Sequence, residues 1–198
     1  MNKIAFLLIV FAVISSFHLA AQTNSILNEL SIEGGYKFKQ SSGETGDGLS
    51  VNLTYDHYLK LEKSIFLGVD IGYYQSSLGN ILIDQPQSID ADLLSSCFRC
   101  GIAYPFNEKL RIKGFLEGGV GFIQSRETYD GTHYRTPNST AIFGIGATLL
   151  YRINTKLGLT LTYKMLRYGN DAIWHGSKAV STKPLVIEPV VVSIGVCF

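Results

Sequence analysis

Hydrophobic and polar positions alternate along most of this chain with a two-residue period, the spacing of a half-buried β-strand. Eight segments follow the rule. About Glu29 to Lys39, Leu30, Ile32, Gly34, Tyr36 and Phe38 take one face, and Ser31, Glu33, Gly35, Lys37 and Lys39 the other. The second segment, about Leu49 to Lys60, sets Val51, Leu53 and Tyr55 against Asn52, Thr54 and Asp56. The third runs about Ile65 to Tyr74, the fourth about Asp92 to Tyr104 and the fifth about Leu110 to Ser125. The sixth runs about Thr140 to Ile153, the seventh about Leu157 to Leu166, and the eighth closes the chain at Phe198.

The connectors carry a second pattern. Short ones (61–64, 105–109 and 154–156) alternate with long ones (about 40–48, 75–91, 126–139 and 167–185). An up-and-down barrel in an outer membrane has tight periplasmic turns and long extracellular loops. The expected fold is therefore all-β: an eight-stranded antiparallel up-and-down transmembrane β-barrel with both termini on the periplasmic side.

The apolar face favours a membrane over a soluble sandwich. With the short turns down, its upper aromatics are Tyr36, Phe38, Tyr73, Phe122 and Tyr163, and its lower ones Tyr55, Tyr104, Tyr151 and Phe198. Two belts flanking aliphatic residues match the interfacial girdles of membrane barrels. About 10 residues at 3.3 Å each, tilted about 40°, cover roughly 25 Å of bilayer. The opposite face carries Glu33, Lys37, Asp56, Asp70, Arg99, Arg111, Lys113, Glu117, Arg152 and Lys164. In so narrow a barrel these form a lumen network whose acids and bases must pair.

The first residues read as an export signal. Lys3 precedes an apolar core from Ile4 to Ile14, too short for a spanning helix, and small residues lead to an expected cut after Ala21. Residues 1–21 are thus expected to be a signal peptide and 22–198 the barrel domain. Cleavage lowers the 17 basic residues by one, to match the 16 acidic ones. A neutral chain has no general pull on nucleic acid, so none is expected as a partner.

At this point the chain resembles the small bacterial outer-membrane barrels of the OmpA/OmpX type. The resemblance rests on the eight alternating segments, the four long loops and the closing V-V-V-S-I-G-V-C-F of residues 190–198. It implies residence in the bacterial outer membrane, contact with lipid and lipopolysaccharide, and handling by the barrel-assembly machinery through the terminal strand. No peptidoglycan-binding domain is expected after the last strand, unlike full-length OmpA-like proteins.

Little in the sequence points to catalysis. Cys97 and Cys100 have a C-x-x-C spacing, but residues three apart on a strand face opposite ways and cannot share a metal or a relaxed disulfide. His57 lies low on the apolar face, and His175 and Ser177 are loop neighbours without a defined catalytic geometry. No enzyme activity, cofactor or metal is expected. Arg135, Trp174 and His175 are candidate loop contacts, since bases interleaved with aromatics suit glycans, phosphates or protein partners. The expected role is a non-enzymatic barrel acting in envelope integrity or surface interaction. The alternatives are a narrow pore lined by the lumen charges and, less favoured, a lipid A-modifying enzyme.

Overall fold

A computed structural model describes the backbone of residues 28–38, 48–59, 64–78, 89–129, 132–170, 173–175, 178–181, 185–187 and 189–198. The expected signal peptide lies outside these residues.

Seven long strands run in order: β1 (Asn28–Phe38), β2 (Gly48–Tyr58), β3 (Ile65–Leu78), β4 (Ile89–Pro105), β5 (Leu110–Tyr129), β6 (Thr132–Arg152) and β7 (Gly158–Asn170). Three short ones follow, β8 (Ile173–His175), β9 (Lys178–Ser181) and β10 (Leu185–Ile187), and then β11 (Val190–Cys197). Each long strand pairs antiparallel with the next, and β11 bridges β7 and β1. The sheet thus closes into an eight-stranded barrel. β10 continues the register of β11 along β7. Between them stands Pro189, which has no N–H to donate but accepts through its carbonyl from Leu166 N at 3.0 Å. Closure leaves no open edge in the hydrocarbon, where an unpaired peptide group would cost several kcal/mol.

The pairing fixes the geometry of the barrel. From Asn28, cross-strand partners lead through His57, Leu67, Cys100, Leu116, Ile145, Met165 and Val190 to Phe38. One circuit therefore climbs β1 from position 28 to 38. A shear of about ten over eight strands, at about 3.3 Å per residue and 4.8 Å between strands, tilts the strands by roughly 40°.

The alternation read from the sequence sorts outside from inside. Val51, Phe98, Ile102, Leu116, Phe143 and Ile194 point out, exposed toward the bilayer. Lys37, Asn52, Asp56, Asp70, Lys113 and Lys164 point in and are buried. Tyr36, Phe38 and Phe122 stand exposed near the upper strand ends, and Tyr104, Tyr151 and Phe198 near the lower ends. Tyr163 departs from the expected upper belt. It pairs with Ala147 and Val192 near mid-band. Counting from the nearest turn ignores the shear, which offsets each strand in height from its neighbour.

Two of the long loops are shorter than expected. β5 and β6 have 20 and 21 residues, and their ladder runs to Tyr129 opposite Thr132. Most of 126–139 is therefore strand. β3 and β4 likewise pair up to Leu78 opposite Ile89, inside the expected loop 75–91. Each hairpin extends because its two strands satisfy each other's backbone without needing an apolar face.

Candidate functional site: the lumen and its apolar cap

Every inward position of the closed barrel faces the same narrow lumen, and the shear sets the level of each. At the periplasmic end Glu29 is the hub. Its Oε1 accepts from Arg111 Nη1 at 2.9 Å and from Arg152 Nη2. Its Oε2 accepts from Tyr58 Oη at 2.7 Å and from Lys113 Nζ at 3.1 Å. Lys113 Nζ also donates to Asp56 Oδ2 at 2.7 Å. Arg99 lies 3.3 Å from Asp56 and 4.0 Å from Asp70, its guanidinium 3.8 Å over the Phe115 ring.

Higher up, Lys164 Nζ donates to Asp70 Oδ1 and Asn52 Oδ1, each at 3.3 Å, and lies 3.6 Å from Glu117 Oε1. Thr54 donates to Asp70 at 3.0 Å, and Thr162 donates to Glu33 at 2.8 Å. Room for these long side chains comes from glycines. At Gly144 a Cβ would come within 2.7 Å of Glu117 Cγ, and at Gly72 within 2.7 Å of Asn52 Oδ1.

Of the ten charged residues expected on the lumen face, eight join these ion-pair clusters with Glu29, while Glu33 accepts from Thr162 and Lys37 is fully buried on the strand position opposite Val191. Glu29 was missed by the sequence reading, although it carries four of the bonds. It is the first inward residue of β1, in phase with Glu33 and Lys37, so parity alone could have found it. Cys97 is buried and Cys100 exposed, both free, as their opposite parity requires. Among the described residues, no group of three His, Cys, Asp or Glu could hold a metal. Arg135 lies on β6 opposite Arg126, and Trp174 and His175 on β8 opposite β9. The side chains of these three lie outside the described residues.

The structure adds a feature that the polar reading of this face did not anticipate. Toward the upper end, Tyr74, Leu93, Cys97, Ile123, Ile142, Leu166, Tyr168 and Val191 form one buried apolar cluster, which meets the charges where Cys97 pairs with Asp70 and Val191 with Lys37. The register puts it at the extracellular end of the lumen. It is tightly packed: a Cβ on Gly121 would meet both Ile142 Cδ1 and Leu93 Cδ1 at 2.6 Å. A smaller cluster of Tyr58, Phe66, Ala103 and Phe115 lies among the lower charges, its rings facing Arg99, Lys113 and Arg111. The signal was present in the sequence as apolar residues at inward parity, including Phe66, Phe115 and Ile142.

Comparison with known proteins agrees with this architecture. A family model described as the outer membrane protein beta-barrel domain matches residues 9–182. Among solved structures, the chain is similar to Neisserial surface protein A, at 13% identity and a TM-score of 0.57, covering 87% of this chain and 96% of that one. It is also similar to a major outer membrane protein from Thermus thermophilus, at 10% identity and a TM-score of 0.50, covering 86% and 98%. Such identities speak to the fold alone. No curated protein matches by sequence.

Proposed function

Since the chain belongs to the outer membrane protein beta-barrel domain family and resides in the bacterial outer membrane, we propose that it is a non-enzymatic, plugged barrel that acts through its extracellular strand extensions in surface interaction or envelope integrity. The carrying observation is the packed apolar cap over the ion-pair network. An ion leaving the paired region would have to shed its water among Leu93, Ile123, Ile142 and Leu166. A charge without hydration or a partner is very costly there.

With the lumen plugged, the part available to a partner is the wall that β3 to β6 raise beyond the bilayer. β6 pairs with β7 only from Ile142 onward. Above that point, among the described residues, no strand pairs with its second edge. Such an edge offers a row of N–H and C=O groups to an extended segment of another protein. Lipopolysaccharide would surround the upper aromatic belt, and the barrel-assembly machinery would engage β11 and Phe198 during insertion.

The test pairs two measurements. Refolded residues 22–198 in a planar bilayer are expected to give no current steps. Shortening the β5–β6 hairpin above Phe122 and Ser139 is expected to change surface adhesion or envelope sensitivity without disturbing insertion. Discrete steps that change in an Arg111→Ala variant would replace this reading with that of a pore. A changed lipid A mass on overexpression would replace it with that of an enzyme.

A further inference from the structure

We propose that the periplasmic mouth of the barrel is an oxyanion site built by Arg111 and Arg152, taking a phosphate group presented from the periplasm. The lower network is unbalanced in charge. Four cations, Arg99, Lys113, Arg111 and Arg152, converge on two carboxylates, Glu29 and Asp56. Arg99 also reaches toward Asp70, and Lys113 is held between both acids. The surplus positive charge therefore falls on the two arginines at the mouth, which share a single oxygen of Glu29.

Exposure separates the two sides of this cluster. The Glu29 side chain is 1% exposed, whereas those of Arg111 and Arg152 are 26% and 19% exposed. The carboxylate thus holds the guanidinium groups from within, while part of each faces the periplasm. A guanidinium carries five N–H donors in a fixed fork, and one shared oxygen cannot take them all. Two forks held side by side suit an oxyanion, which can accept paired bonds from each.

The site is also pre-organised. Arg111 stacks over the Tyr58 ring at 5.1 Å, and Tyr58 is itself bonded to Glu29. Arg152 N donates to Lys109 O at 2.7 Å, which ties the β6–β7 end to the β4–β5 turn. Exposed Lys109 and Lys156 on these two turns add positive potential, against Glu108. Two sources could present the phosphate, free inorganic phosphate or the phosphodiester of an inner-leaflet lipid.

The experiment uses refolded residues 22–198 with ¹⁵N-labelled arginine, in phosphatidylcholine nanodiscs. Inorganic phosphate is titrated against chloride at constant ionic strength. The Arg111 and Arg152 side-chain resonances are expected to move saturably with phosphate and not with chloride. Binding should weaken about tenfold or more in Arg152→Gln, on the loss of charge-assisted bonds. In Thr155→Ala, an exposed and uncharged turn position outside the fork, it should change little. In phosphatidylglycerol nanodiscs, shifts relative to phosphatidylcholine without added phosphate would identify the phosphodiester of an anionic lipid as the occupant, and their absence free phosphate. No saturable shift, equal shifts with chloride, or an Arg152→Gln barrel that inserts and binds phosphate unchanged would overturn the proposal.

Discussion

Lys164→Met tests whether the lumen is a dry, paired interior or a hydrated one. Lys164 is 2% exposed and is the cation shared by Asp70 at 3.3 Å and Glu117 at 3.6 Å. At an effective dielectric of about 20, an ion pair at such distances has a gross attraction of about 4–5 kcal/mol. Met nearly conserves volume, so the change removes charge and leaves little cavity. Asp70 keeps Thr54 and the more distant Arg99. Glu117 is left buried, with its Oε2 already lacking a partner. Breaking a buried pair from one side typically costs about 3–5 kcal/mol, which is the loss expected in urea unfolding of the refolded barrel in vesicles. Glu117→Gln alone should cost about 1–2 kcal/mol, because Lys164 retains Asp70 and Asn52. The double variant should lose at least about 2 kcal/mol less than the sum, since the stranded carboxylate is gone. A loss under about 1 kcal/mol for Lys164→Met, or strict additivity, would refute the reasoning and mean that water solvates these charges.

Four further outcomes follow from the same geometry. Gly119→Ala should destabilise the barrel by about 1–3 kcal/mol, because its Cβ would lie 2.6 Å from Cys97 Cα. Gly114→Ala, with nothing within 4 Å, should be neutral or slightly stabilising in the same urea titration. Phe98→Arg places a charge at mid-band on a side chain 78% exposed to lipid and should cost about 2–4 kcal/mol, whereas Phe106→Arg in the β4–β5 turn should cost about 0–1; equal costs would argue against a bilayer at Phe98. In the folded barrel a lipid-soluble diazirine, whose photogenerated carbene needs no thiolate, should label Cys100 and spare buried Cys97 and Cys197, which peptide mass spectrometry reads directly.

Much of this protein was determined by its sequence alone. A two-residue period admits one assignment of faces once one face must meet lipid, so the parity of Phe98 and Arg99, or of Cys97 and Cys100, could be read without coordinates. Connector lengths then set the up-and-down order and the periplasmic side. What parity cannot carry is height. The shear of the barrel emerges only when β11 meets β1, and it decides that Tyr163 leaves the upper belt and that Glu29 gathers Arg111, Lys113 and Arg152 from strands far apart in sequence. The same closure brings Leu93, Ile123, Ile142, Leu166 and Val191 from five strands to one level as the apolar cap. Local sequence fixes which way a side chain points because the pleat is local. Which side chains meet inside the barrel depends on the register of every strand pair around the ring, and only the closed tertiary structure sets that.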